Sequence, residues 1–166
     1  MIYKSYLHEP FDKSKFIPVY SEFINKPRGG LFGCQGDEWI NWCTAEEFRT
    51  GYYKYCVEYE LTTAEIKLIH TPEDFLFLIN DYAEFKLPLP QISFEKMAED
   101  YDAIEISHKA IDSCRMGIPD EVIAFLPEME RIRFRNIIMM GLYSWDVPSI
   151  CVFNPDKINI IKTTKL

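Results

Sequence analysis

One segment in the first half of the chain alternates polar side chains with aromatic and apolar ones. It reads YYKYCVEYEL and covers residues 52–61. Side chains along an extended chain point to opposite faces in turn, so Tyr53, Tyr55, Val57, Tyr59 and Leu61 share one face. The segment therefore predicts a β-strand with one buried face.

The rest of the chain predicts short strands in two groups separated by helices. We expect strands over residues 2–7, 29–33, 66–69, 102–107, 150–153 and 158–161, and helices over residues 37–48, 71–88 and 93–100. This order indicates an α+β domain. At 166 residues the chain has the usual length of a single domain, here residues 1–166.

Capping residues set the starts of two helices. Thr71 supplies a cap, Pro72 suits the first turn, and Asp74 stands at the third helical position. Pro88 and Pro90 forbid the continuation of this helix. Ser93 can cap the next one.

The stretch from residue 108 to 135 is the least readable part of the chain. It contains three alternating arginines, Arg131, Arg133 and Arg135. An extended backbone would place the three guanidinium groups on one face, whereas a helix would spread them around its axis. A solvated surface is the simpler interpretation of either.

The clearest indication of a ligand lies between Lys26 and Cys43, in KPRGGLFGCQGDEWINWC. Glycines at 29, 30 and 33 allow close approach to a backbone, because no Cβ intervenes. Trp39 and Trp42 are three residues apart, so a helix would present both indoles on one face. This arrangement suits a flat heteroaromatic ring. The alternative is a glycine turn that leads into a helix with its tryptophans in the core.

Part of this segment resembles the second motif of ADP-ribosyltransferases of the poly-ADP-ribose polymerase type. The resemblance lies in Gly30-Leu31-Phe32 and, after a short gap, Asn41-Trp42-Cys43. It implies a nicotinamide pocket in which Gly30 offers its backbone to the carboxamide and Leu31 and Trp39 contribute to the walls. Trp42 would be the stacking residue, where the family usually has tyrosine.

Two further segments resemble the same family, in the same order along the chain. Ile2-Tyr3-Lys4-Ser5 resembles its first strand, with Lys4 at the position of a histidine or arginine. The resemblance implies that Lys4 and Ser5 bind ribose or pyrophosphate. The segment SICVFNPDKI, starting at Ser149, resembles the strand and turn that carry the catalytic glutamate, and Ser149 occupies the glutamate position.

Two acidic residues are candidates for the catalytic carboxylate that the resemblance requires. Asp146 precedes the last pair of strands, and Glu105 lies within the strand DAIEIS. A carboxylate beside the ribose would stabilise the ribosyl cation that forms as the nicotinamide bond breaks. The structural alternatives are a turn residue for Asp146 and a paired or exposed strand residue for Glu105.

The resemblance thus implies a split, two-sheet ADP-ribosyltransferase-like core of the kind found in uncharacterised bacterial and phage proteins. NAD would be the substrate, without a metal, and the acceptor would be a protein or a small molecule. The alternative function is a degenerate member of the fold that binds a nucleotide or a protein without turnover. The serine at position 149 favours this alternative, whereas the glycine and tryptophan segment favours the enzyme.

Charge and composition exclude other classes of protein. The formal charge of -8 argues against general nucleic-acid binding, since phosphate contacts dominate such affinity. No apolar run approaches the roughly 20 residues that a membrane span needs. The cysteines are odd in number and form no CxxC pair. We therefore expect reduced thiols, no zinc site and a cytoplasmic protein.

Overall fold

The computed structural model describes residues 1–22, 25–49, 51–84 and 90–166, which form a mixed arrangement of strands and helices. The strands are β1 Tyr3–Leu7, β2 Leu31–Gly33, β3 Tyr55–Leu61, β4 Ile66–Ile69, β5 Ala83–Glu84, β6 Gln91–Ile92, β7 Ala103–Ile106, β8 Ser149–Val152 and β9 Ile158–Lys165. The α-helices are α1 Glu38–Ala45, α2 Pro72–Tyr82, α3 Phe94–Asp100, α4 His108–Cys114, α5 Asp120–Ile123 and α6 Glu128–Met140. The α+β class is confirmed.

The main strands form two sheets. One has the order β1-β3-β9 and is antiparallel throughout, and the other has the order β2-β8-β7-β4, in which β4 and β7 run parallel. The two sheets meet where β1 passes the end of β2. There, the Lys4 amide donates to the Cys34 carbonyl over 2.8 Å, and the Cys34 amide donates back over 3.0 Å.

Apolar side chains pack on both faces of the four-stranded sheet. On one face, Leu31, Ile150 and Val152 pack against Tyr3 and Tyr59 of the three-stranded sheet. On the other face, the core includes strand residues and residues of α2, α3, α4 and α6: Ile104, Ile106, Cys151, Phe153, Phe75, Ile79, Met97, Ile111, Phe134 and Ile138. The fold thus has three layers: the three-stranded sheet, the four-stranded sheet and the helices.

The strand predicted from alternation is confirmed over most of its length. β3 begins at Tyr55, with Val57 and Tyr59 fully buried. Tyr52 and Tyr53 lie in the loop before it, so the prediction is wrong for the first residues. β8 and β9 are also confirmed, and a short 3-10 turn over Pro155–Lys157 connects them. They belong to different sheets.

Both predicted helix caps are confirmed. The Thr71 hydroxyl accepts from the Asp74 amide and the Asp74 carboxylate accepts from the Thr71 amide, which forms a capping box. The Ser93 hydroxyl caps α3 by accepting from the Lys96 amide. Helix α2 ends at Tyr82, ahead of the predicted end. The predicted stop at Pro88 lies outside the described residues.

Residues 108–135 are mainly helical. Arg131, Arg133 and Arg135 all lie in α6, so the extended arrangement with three guanidinium groups on one face is wrong. Successive side chains of a helix are about 100° apart, and alternate residues therefore point in different directions.

All five cysteines are unpaired and buried: Cys34, Cys43, Cys56, Cys114 and Cys151. Burial is the main cause that raises the pKa of each thiol.

Candidate functional site

An open cleft of about 500 Å³ lies where the two sheets meet. Segments that are distant in sequence contribute its walls: β1, the glycine hinge (Gly29 and Gly30) with β2, helix α1 and the loop before β8. Six of the residues singled out in the sequence line it, namely Lys4, Gly30, Leu31, Trp39, Asp146 and Ser149. The cleft is therefore the candidate site.

The glycine hinge forms one wall through an unusual backbone. Gly29 and Gly30 have φ values of 70° and 65°. The Gly30 amide donates to the Ile17 carbonyl over 2.8 Å. This N–H is thus already bonded within the protein, and a contact of the Gly30 backbone with a carboxamide stays a prediction. The lack of a side chain at Gly30 allows the backbone to pack closely against β8, because a Cβ there would lie 2.7 Å from Cys151 Sγ.

We expect Gly29→Ala to lower the free energy of unfolding by roughly 3 kcal/mol, because the new methyl group adds a clash to the cost of a left-handed backbone. Its Cβ would lie 2.3 Å from the Pro18 carbonyl oxygen. Gly36→Ala is the matched control, since Gly36 has a φ of 66° and open space around it. The control should lose only about 1 kcal/mol. Urea denaturation measures both, and equal losses would contradict the close approach at Gly29.

Aromatic rings form the opposite wall. Trp39, Phe48, Tyr52 and Tyr53 all line the cleft. Trp39 makes edge contacts with Phe48 and Tyr53, at centroid distances of 6.0 and 6.5 Å. These contacts hold the Trp39 indole against the cleft, where its apolar surface suits a flat ring.

Trp42 lies behind Trp39 and is not among the residues that line the cleft. The two indoles stack on each other at 5.1 Å with an interplanar angle of 19°. The predicted shared face of the helix is present, and of the two indoles Trp39 is the one that lines the cleft.

Ser5 also lies away from the cleft surface. Its side chain is buried, and its hydroxyl donates to the Phe32 carbonyl over 2.5 Å. This bond ties β1 to β2, so the expectation that Ser5 binds ribose or pyrophosphate is replaced by a structural role at the junction of the sheets.

Glu105 lines a smaller neighbouring depression of about 200 Å³, which borders the cleft at Cys34 and Ser149. Its carboxylate accepts hydrogen bonds from the Tyr3 hydroxyl over 3.1 Å and from Gln35 Nε2 over 3.0 Å. Glu105 pairs with Ile150 across the sheet, whereas Ser149 pairs with Ile106. Paired residues share a face and neighbours alternate, so Glu105 and Ser149 point to opposite faces. The paired-strand interpretation of Glu105 is the one that the contacts favour.

Asp146 is half-buried at the rim of the cleft, in the loop that leads into β8. Ser149 begins β8, and its hydroxyl donates to the Val147 carbonyl over 2.6 Å. Asp146 is thus the acidic side chain among the described residues that line the cleft.

Four cationic side chains line the cleft, although the chain as a whole is acidic: Lys4, Lys26, Arg28 and Arg49. Lys4 pairs with Asp37 over 2.8 Å, and the Tyr6 hydroxyl donates to the same carboxylate over 2.7 Å. The Lys4 hydrogen bond is the main cause that lowers the pKa of Asp37. This concentration of positive charge suits an anionic ligand.

Lys26 is the most enclosed of these cations. Its ammonium donates to the Ser144 carbonyl over 3.0 Å and lies 5.2 Å from the centre of the Phe32 ring and 5.4 Å from that of Trp145. Burial lowers the pKa of Lys26, while the nearby charge of Asp146 opposes this effect.

Three cations of the site were not predicted from the sequence: Lys26, Arg28 and Arg49. Lys26 and Arg28 directly flank the glycine hinge in KPRGG, and this proximity was a usable signal. Arg49 follows the aromatic helix without any motif, so only the tertiary structure places it at the cleft.

Comparison with protein-family models, with curated proteins and with solved structures gives no match to this chain. Within the described ranges, no helix has both the length and the apolar character needed to cross a membrane. The same part of the chain contains no group of three or more histidine, cysteine or acidic side chains arranged to hold a metal ion. The site is thus defined by its own geometry, as an open cleft with cationic and aromatic walls.

Proposed function

We propose that the cleft binds NAD and that the chain is an ADP-ribosyltransferase-like protein that transfers ADP-ribose to a protein or small-molecule acceptor. The observation that carries the proposal is the convergence of Lys4, the Gly30 hinge, Trp39, Asp146 and Ser149 in one cleft. The three segments that resemble the family are far apart in sequence, and each contributes residues to this cleft. The split, two-sheet core of that family is part of the same proposal.

The chemistry assigns a role to each wall. The nicotinamide ring packs on Trp39, and the positive charge of the cleft attracts the phosphates. The bond between the ribose carbon and the nicotinamide nitrogen breaks, and its electron pair leaves with nicotinamide. The Asp146 carboxylate stabilises the positive charge that develops on the ribose. A nucleophile of the acceptor then bonds to the same carbon and releases its proton.

Binding without turnover is the second candidate function. It is favoured by Ser149, a neutral residue at the glutamate position of the family, whose hydroxyl already donates to the Val147 carbonyl. The ion pair of Lys4 with Asp37 favours it as well, since this cation is already neutralised.

Incubation of the purified protein with NAD distinguishes the two functions. Calorimetry measures binding, and mass spectrometry detects released nicotinamide. Binding with release supports the transferase, and binding without release, in the presence or absence of a cell extract as a source of acceptor, supports the second function. The absence of binding would overturn both.

We expect Trp39→Ala to weaken NAD binding by about 10-fold, because stacking on an aromatic side chain contributes about 1–3 kcal/mol per ring. Trp42→Ala is the matched control, since it removes the same side chain from the same helix but not from the cleft wall. Calorimetric titration with NAD measures both variants. A larger loss in Trp42→Ala than in Trp39→Ala would restore the assignment of Trp42 as the stacking residue.

A further inference from the structure

The cations of the cleft fall into two classes. Lys4 and Arg28 are already paired with carboxylates, with Asp37 over 2.8 Å and with Glu22 over 2.6 Å. Lys26 and Arg49 form no ion pair within the part of the chain that the structure describes. A ligand anion therefore meets two cations that are not held in close ion pairs, although the charge of Asp146 lies near Lys26.

Arg49 is held in place by aromatic side chains. Its guanidinium carbon lies 5.2 Å from the ring centre of Phe48 and 5.2 Å from that of Tyr52. Tyr52 in turn stacks on His8 at 5.0 Å with an interplanar angle of 23°. The donors of a guanidinium lie in its plane, so contact with ring faces leaves N–H groups available for a phosphate. Stacking reduces the conformational freedom that binding would otherwise cost.

The backbone of Arg49 is also unusual. Its φ is 48°, in the left-handed region that non-glycine residues seldom occupy, and Glu47 nearby has a φ of 51°. Each such residue has an energetic cost, and such residues tend to cluster at functional sites. The loop after α1 accepts this cost, and it presents Phe48 and Arg49 to the cleft.

Lys26 is the second cation outside a close ion pair. Its ammonium has three N–H donors, and the Ser144 carbonyl accepts from one of them. The charge lies over Phe32 and Trp145 in a poorly hydrated position, where a ligand anion stabilises it more than water does.

We propose that Arg49 and Lys26 bind the diphosphate group of the ligand, so that the cleft selects nucleoside diphosphates over nucleoside monophosphates and nucleosides. A diphosphate offers two phosphoryl groups, which matches two cations that are not held in close ion pairs, one of them an arginine able to form a bidentate contact. The inference rests on the proposed function in placing the nucleotide in this cleft, and it adds the group that determines specificity.

Calorimetric titration with ADP, AMP and adenosine tests the proposal without requiring turnover. Wild-type protein should bind ADP at least about 10-fold more tightly than AMP, because a charge-assisted hydrogen bond contributes about 1.5–3 kcal/mol, and each 1.4 kcal/mol is tenfold. Arg49→Gln should weaken ADP binding by about 10-fold or more and change adenosine binding by less than about 3-fold. Lys26→Met should show the same pattern.

Arg28→Gln is the matched control, because it removes the same charge from the same cleft while Glu22 already compensates that charge. It should weaken ADP binding by less than about 3-fold. An equal loss in Arg28→Gln and Arg49→Gln would show that only general charge matters and would overturn the proposal. Equal wild-type affinities for ADP and adenosine would also overturn it.

The outcomes separate this inference from the proposed function. Selective ADP binding that depends on Arg49, combined with no release of nicotinamide from NAD, supports the diphosphate site and contradicts the transferase. Release of nicotinamide that is unaffected by Arg49→Gln and Lys26→Met supports the transferase and overturns the diphosphate site.

Discussion

Asp146→Asn is expected to lower the rate of nicotinamide release from NAD by about 100-fold, because asparagine keeps the shape of the side chain and removes the charge that stabilises the ribosyl cation. Asp146 is half-buried at the rim of the cleft, so the fold should tolerate the change. The NAD dissociation constant should change by less than about 3-fold, since a contact made mainly in the transition state adds little to ground-state binding. Single-turnover kinetics and calorimetry measure the two quantities.

Glu105→Gln is the control for this experiment. Glu105 lies outside the cleft and accepts hydrogen bonds from Tyr3 and Gln35, so its replacement should leave turnover nearly unchanged. If turnover survives in Asp146→Asn and disappears in Glu105→Gln, the catalytic carboxylate is Glu105. If the wild-type protein releases no nicotinamide, the transferase is contradicted and binding without turnover remains.

Trp145→Ala is expected to lower the free energy of unfolding by about 3–5 kcal/mol, the range for the loss of a large aromatic side chain from a core. Trp145 is fully buried, and its Nε1 donates to the Asn25 carbonyl over 2.6 Å. The indole also packs near the Phe32 ring at 5.9 Å and beneath the ammonium of Lys26. Its removal leaves a cavity and a buried carbonyl without its donor.

Trp42→Ala provides the comparison, because Trp42 is only half-buried. Trp42 removes less apolar area from water than Trp145 does, so the loss in the free energy of unfolding should be under about 2 kcal/mol. Chemical denaturation followed by circular dichroism measures both variants. Equal losses in the two variants would contradict the conclusion that Trp145 contributes more to the core than Trp42 does.

Local signals predicted much of the fold. The alternation around Tyr59 predicted β3, and the caps at Thr71 and Ser93 predicted the starts of α2 and α3. Helices α5 and α6 were missed because proline precedes each of them at the cap position and no side chain caps either one. The assignment of β8 and β9 to different sheets depends on contacts between distant residues, which no local pattern encodes.

The same division explains the site. Motifs brought Lys4, Trp39 and Asp146 into one hypothesis, and the structure places all three at one cleft. Ser5 follows Lys4 directly on β1, so the alternation of the strand turns it to the opposite face. Trp42 lies one helical turn after Trp39, and the sequence alone does not tell which of the two indoles lines the cleft. Arg49 depends on a left-handed backbone that its residue type does not favour.

The burial of every cysteine limits the rate at which an oxidant can modify this protein. A thiol must be deprotonated and accessible to react, and the raised pKa and burial of these five side chains deny both conditions in the native state. Each oxidation event must therefore wait for a local or global opening of the chain. The frequency of that opening therefore governs how long the thiols stay reduced. Tighter packing, which makes opening rarer, would prolong that time.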